Sequence, residues 1–199
     1  MEPQRSDYEL LRTTVLEKGR VIGNDILKVD SFLNHQLDVE VLNAIGRLFY
    51  KQFGHLNIDK ILTAEVSGIA IAVVSAQYFH VPVVFAKKTL SKNLDLETWE
   101  GSVYSYTKQQ EYKIRVAKRY LKKGEKVLII DDFLANGQAI KGMKQILDEA
   151  EAELLGTGVV IEKSFQPGKK ILQQNGVLVH SLVKVESLEQ QQIVLAELR

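Results

Sequence analysis

The 199-residue sequence contains no cysteine, three prolines and a single tryptophan. Without cysteine there is no disulfide framework, no thiol nucleophile and no Cys-based metal site. An excess of one charge is also missing: 26 Lys+Arg stand against 25 Asp+Glu, a net +1. No global field therefore favours nucleic acid or an acidic membrane. Lysine pairs such as Lys122-Lys123 and Lys169-Lys170 suit solvated faces. No segment approaches the ~20 apolar residues of a bilayer span. The first residues are charged and hold no long apolar core, so neither a leader nor an anchor is expected and a cytoplasmic protein follows. Two phosphate-binding patterns are absent: there is no G-x-x-x-x-G-K-[ST], and Gly156-Thr157-Gly158 lacks the third glycine and the helix of a dinucleotide fingerprint. No G-x-S-x-G marks a hydrolase elbow.

What is present is a chain 45% hydrophobic, enough for one well-filled core over residues 1–199, with room for a small accessory lobe. Ser6-Asp7-Tyr8-Glu9 reads as a capping box opening a helix that Gly19 closes. Ile26 to Gln36 is expected to be extended, without helical period. Asp38 caps a helix whose apolar face is Leu42, Ile45, Phe49 and Phe53. From Asp59 onward strands and helices alternate: Lys60 to Ala64, Gly68 to Phe79, Val81 to Ala86. Units of this length predict a mostly parallel, right-handed α/β sheet flanked by helices. Between Lys87 and Glu100 the pattern dissolves. Val103 to Thr107 and Tyr112 to Val116 then alternate as a hairpin. Leu154 to Ile161 and Val177 to Val185 are further strands, separated by a short helix closed by Gly176. Gln192 to Leu198 is an edge strand or a tail.

The most informative stretch is Lys126 to Ala139, K-V-L-I-I-D-D-F-L-A-N-G-Q-A. Val127 to Ile130 suit a strand buried on both faces. Asp131 and Asp132 follow; adjacent carboxylates are costly to bury, so they are expected where the strand meets water or a ligand. Asn136 and Gly137 tolerate unusual backbone angles, and a helix begins at Gln138. Strand, acids, tight loop and helix together make a phosphate cradle with carboxylates at its lip. A second strand end, Glu65-Val66-Ser67-Gly68, precedes an apolar helix; Ser67 offers a hydroxyl, and Gly68 lets an anion approach the helix N-terminus. At Ala86-Lys87-Lys88 either lysine could neutralise an anion. Glu162-Lys163-Ser164-Phe165 closes another strand; the Lys163 ammonium is a donor only and would suit a carbonyl oxygen. His35 has no companion at ligand spacing, which argues against a metal or nucleophile role.

These residues carry a resemblance. Asp131, Asp132, Ala135, Asn136, Gly137 and Ala139 resemble the phosphoribosyl-diphosphate (PRPP) motif of the type I phosphoribosyltransferases. Ala135 departs from the Ser or Thr common there, which removes a hydroxyl but leaves the backbone N–H groups. Phe133 to Ala139, Leu27 to Gln36 and Val160 to Gly168 look in particular like the bacterial xanthine enzymes of that family. The resemblance implies the type I phosphoribosyltransferase fold with a hood from about residues 1–37 and part of the C-terminal region. It also implies a flexible loop over about 87–110, with Ser102 and Tyr104 as candidate ligand contacts and Tyr106 and Thr107 in the same stretch. By the same resemblance Asp131 and Asp132 are catalytic, while Ala135, Asn136, Gly137, Gln138, Ala139, Ser67, Gly68 and Lys87 bind PRPP. Leu27, Asn34, Lys163 and Phe165 contact a purine. The implied reaction transfers the phosphoribosyl group of PRPP to N9 of xanthine. Mg²⁺ is held through PRPP, with Asp131 and Asp132 as candidate ligands, and the chain is a homodimer. A hypoxanthine or guanine enzyme stays open, since all three purines present a 6-carbonyl. A PRPP-binding regulator of the same fold is the reading from another class. The few residues before the resemblance and the balanced charge argue against its usual winged helix or basic face.

Overall fold

The structure is a computed structural model that describes residues 6–88, 97–105 and 109–197. Ser6 caps α1 (Asp7–Lys18) in a reciprocal capping box with Glu9, and Asp38 caps α2 (Val39–Phe53) by accepting from the Glu40 and Val41 amides. Between them lie a two-stranded antiparallel ribbon, β1 (Arg20–Ile22) and β2 (Ile26–Lys28), and a π-helical turn, Asp30–Asn34. The turn corrects the expectation of a wholly extended segment. Phe32 and Leu33 are fully buried, and the compact turn is how two adjacent apolar side chains both reach the core.

The remaining strands build the sheet. β3 (Lys60–Ala64), α3 (Gly68–Phe79) and β4 (Val83–Ala86) follow the predicted spans, with β4 starting after Pro82. The antiparallel hairpin β5 (Thr98–Ser105) and β6 (Gln110–Ala117) is longer than its alternation suggested and takes in Trp99. The Trp99 indole donates to the Leu121 carbonyl at 3.0 Å. Tyr106 and Thr107 lie outside the described residues. β7 (Lys126–Leu134), α4 (Gln138–Glu149), β8 (Glu153–Lys163), α5 (Gly168–Gln174) and β9 (His180–Ser187) complete the alternation. β9 begins later than predicted, at His180. A short β10 (Val194–Leu195) pairs antiparallel with its end.

The main sheet runs β10-β9-β8-β7-β3-β4, and every pairing except β10–β9 is parallel. Both faces are covered, which explains the unbroken apolar run of β7. Leu128 and Ile130 join a core with α1, α2 and α3, while Val127 and Ile129 join one with α4, α5 and the hairpin. Among the described residues no helix is long and apolar enough to cross a membrane.

Candidate active site

The chain leaves β3 for β4 on one side and later returns to β7 on the other. Such a reversal opens a crevice at the carboxyl ends of the two central strands, where ligands of open α/β sheets bind. The loop after β3 carries Glu65 to Gly68 and includes a cis peptide bond between Glu65 and Val66. The end of β7 carries Asp131 and Asp132. Two sequence candidates 63 positions apart, Gly68 and Asp131, thus meet at the switch point. A Cβ on Gly68 would collide with Thr63 Oγ1 and come within 3.1 Å of Asp131 Oδ1, so only glycine lets the start of α3 close on this carboxyl.

Of the two settings expected for Asp131, water or a ligand site, the structure rules out open water. The strand runs on to Leu134, and Asp131 is only 5% exposed. Burial, reinforced by the charge of Asp132, pushes its carboxyl well above the usual carboxylate range, against the pull of Lys88. Asp131 Oδ1 accepts the Asp132 amide at 3.0 Å, and Asp132 Oδ1 accepts the Phe133 amide at 2.9 Å. The nearby Thr63 hydroxyl is buried with no hydrogen-bond partner among the described residues. Nor do those residues hold a cluster of three or more His, Asp or Glu that could cage a metal. A cation here would need oxygens from a ligand beside those of the two aspartates.

The loop after β7 has the backbone its sequence asks for. Gly137 sits at φ +73° as the N-cap of α4, in the left-handed region that a Cβ disfavours. Among the described residues no side chain caps this helix, so the first amides remain for an anion. Ala135, Asn136, Gly137, Gln138 and Ala139 line a cavity of about 230 Å³ together with Phe133 and two hairpin tyrosines, Tyr104 and Tyr112. The sequence reading passed over Tyr112. Its phenol is pushed above its ordinary value by burial and then by the charge of Asp131. Only the pairing of β5 with β6 could have shown this, since Tyr112 looks like any alternating strand residue.

A second cavity, about 650 Å³, has Val66, Ser67 and Lys88 on one wall and Lys28, Asn34 and His35 on the other. Of the lysine pair it is Lys88 that lines this space, with its amide donating to Glu65 Oε1. Lys87 pairs through its backbone with Arg115, and its ammonium lies 5.8 Å from the centre of the Phe85 ring. The hood lysine Lys28, which also faces this cavity, bridges to Asp30 at 3.3 Å.

Lys163 ends β8 and donates to the Asp25 carbonyl, in the turn between β1 and β2, at 2.6 Å. Burial lowers its pKa, with Asp25 working the other way. Its ammonium lies 5.9 Å from the centre of the Phe133 ring. The structure therefore brings Lys163, Phe133 and the tip of the β1–β2 ribbon together. Asn34 is at the mouth of the second cavity, and Phe165 is exposed just after β8. The Leu27 side chain is buried in the core, where its Cδ1 would lie 3.2 Å from a Cβ on Gly19, so contact with a ligand is left to its backbone.

Comparison with known proteins agrees with this geometry. A family model described as phosphoribosyl transferase domain matches residues 33–181. The chain is 57% identical over 186 residues to a xanthine phosphoribosyltransferase of Alkaliphilus metalliredigens, covering 94% of this chain and 92% of the relative. It is 56% identical over 180 residues to the protein of that name from Clostridioides difficile, covering 90% and 95%. Among solved structures, adenine phosphoribosyltransferase from Rhodothermus marinus superposes with a TM-score of 0.71 at 21% identity, covering 88% of this chain and 98% of that one. The Trypanosoma brucei adenine enzyme in complex with AMP, pyrophosphate and ribose-5-phosphate gives a TM-score of 0.72 at 17% identity, covering 92% and 82%. These two structural likenesses speak for the fold alone.

Proposed function

Because the chain belongs to the phosphoribosyltransferase family, we propose that it is a purine salvage enzyme that joins xanthine to the phosphoribosyl group of PRPP, giving xanthosine 5′-monophosphate and pyrophosphate. The observation that carries this reading is the aspartate doublet beside an uncapped helix N-terminus, with the Gly68 turn closing from across the switch point. N9 of the purine attacks C1′ of the ribose as the C1′–O bond to pyrophosphate breaks, and the N9 proton passes to solvent. The sugar becomes cationic on the way.

Each part of the site answers one demand of that reaction. Backbone amides of residues 135–139 hold the 5′-phosphate at the α4 N-terminus. Asp131 and Asp132 hold the ribose hydroxyls, and their negative field favours the cationic sugar. Ser67, Gly68 and a lysine of the 87–88 pair, with Lys88 lining the cavity, receive the leaving pyrophosphate. Lys163 donates to the 6-carbonyl of the base, and Asn34 offers both donor and acceptor to its two-position edge. Phe133 and Phe165 supply apolar surface at the purine end. No covalent intermediate is needed, so positioning and electrostatics provide the rate.

Mg²⁺ fits these residues. It is commonly held by one or two carboxylates plus substrate phosphates rather than by a protein cage, and here a costly buried carboxylate stands beside a second one, with no cluster of three such ligands among the described residues. When bound it would take charge off the leaving group. A homodimer and a cytoplasmic setting complete the reading. The span Gly68–Phe79 carries no charged residue, Val73 stays 48% exposed on it, and Phe85 is 37% exposed on edge strand β4. These exposed apolar side chains suit contact with a second copy, and light scattering should give twice the chain mass. The activity test is pyrophosphate release from PRPP and Mg²⁺ with each purine supplied in turn. Xanthine should give the highest kcat/KM; a preference for hypoxanthine or guanine would reassign the acceptor, and no release with any of them would end the reading.

A further inference from the structure

The mechanism uses Lys163 but leaves its neighbour Glu162 without a task. Glu162 is 3% exposed, yet it is an acid at the active-site end of β8. Burying a carboxylate is costly unless donors surround it. Three do. Ser164 Oγ donates to Oε1 at 3.0 Å, and Ser181 Oγ and the Lys169 ammonium both donate to Oε2, the latter at 2.9 Å. Burial pushes the carboxyl pKa up, but the hydrogen bonds from Ser181, Lys169 and Ser164 outweigh it, and the group stays below its ordinary value of 4.5. The charge is therefore permanent at neutral pH.

What this anchored charge touches matters more than its own stability. Glu162 is the register partner of Leu134, the last strand residue before the Ala135–Ala139 loop. Lys169 is the second residue of α5, and the preceding Gly168 donates its amide to the Ala135 carbonyl at 3.0 Å. A Cβ on Gly168 would strike that carbonyl and come within 2.7 Å of the Gly137 nitrogen, so α5 is seated on the loop with no slack. A Cβ on Gly137 would likewise come within 3.1 Å of Leu172 of the same helix. The ion pair thus ties the strand that ends in Lys163 to the short helix that backs the phosphate loop.

We infer that Glu162 is a positioning residue: through Lys169 it fixes α5 against the Ala135–Gly137 loop and so sets the geometry in which the 5′-phosphate is bound. This rests on the proposed phosphate role of that loop, and the test separates the two. Binding of ribose 5-phosphate is measured by calorimetry for the unaltered chain, Glu162→Gln, Lys169→Met, Lys169→Arg and the Glu162→Gln/Lys169→Met double variant, with Tm recorded for each. The unaltered chain should bind; if it does not, the phosphate reading itself fails and the inference with it. Given binding, each of the two charge-removing single variants should bind about fivefold or more weakly, and the double variant no more weakly than the worse single, because both remove one tie. Lys169→Arg, which keeps the charge, should retain most of the affinity. Unchanged affinities with a lowered Tm would make the pair a purely structural tie and overturn the inference, as would fully additive losses. Should Glu162→Gln fail to fold, Lys169→Met, altering a side chain 28% exposed, decides the matter alone: unchanged affinity refutes, a fivefold loss restored in Lys169→Arg supports.

Discussion

The two ends of the crevice, one proposed for the phosphate and the other for the purine, are built differently. The loop at Ala135 to Ala139 continues a central strand buried on both faces, and α5 seals it from behind. On the hood side stand a ribbon of two three-residue strands and a single π-turn. At its tip the hood accepts a hydrogen bond from Lys163 at the Asp25 carbonyl, and the basic partners of its ion pairs are largely exposed: Arg20 is 66% open and Lys28 45%. The first region owes its shape to packing, which is unforgiving of small changes. The second is rooted in the core by Leu27, Phe32 and Leu33, but its tip and rim are held by polar contacts in water, each of which is weak. A donor with two charged groups suits a preformed cradle, whereas a flat, neutral acceptor needs a wall that can open and shut.

The sharpest way to break this comparison is at the acids. Asp131→Asn combined with Asp132→Asn should lower kcat/KM by about 10²–10³-fold or more while leaving the fold intact; near-normal turnover would refute their roles. Lys163→Ala should raise the purine KM about tenfold to a hundredfold, the range for a lost hydrogen bond to a charged group. The KM for PRPP should barely move, and equal effects on both would count against base recognition. Gly137→Ala forces a Cβ into the left-handed region and against Leu172. It should cost about 1–2 kcal/mol in stability by denaturant titration and weaken PRPP more than purine, the reverse of the Lys163 pattern.

The buried acid also sharpens the contrast through pH. Asp131 has its folded pKa raised above the ordinary 3.8, so the folded chain holds this proton longer than the unfolded chain. Its contribution to stability is therefore most favourable in acid and declines as pH rises from about 3.8 through the raised value. The single variant Asp131→Asn should raise the ligand-free Tm by several degrees at pH 7, with the gain shrinking toward pH 4. A variant no more stable than the parent at either pH would remove strain at this acid from the account. The smallest effect belongs to the hood surface: Arg20→Ala should leave Tm unchanged within error and shift the purine KM less than twofold.

Much of this was legible in the residues. The spans of β3, α3 and α4, the caps at Ser6 and Asp38 and the doubly buried β7 followed from period, capping chemistry and an unbroken apolar run. These are local rules, written within a few residues of where they act. The failures share the opposite property. For Asp131 the residues left water and a ligand both open, and only the packing of the sheet removed the first. The π-turn escaped notice because its cause, a core waiting for Phe32 and Leu33, is supplied by other elements. Tyr112 gained its place only when β6 paired with β5.

What the chain dictated unaided is the set of parts: a parallel α/β alternation, a glycine where φ must be positive, and an acid doublet ahead of a helix N-terminus. Those features depend on neighbours a few bonds away, so folding cannot revise them. What tertiary structure alone decided is which parts face each other: Gly68 against Asp131, Lys163 against Asp25, Glu162 against Lys169. Pairings across 63, 138 and 7 positions arise from strand order and close packing, and no local period encodes them.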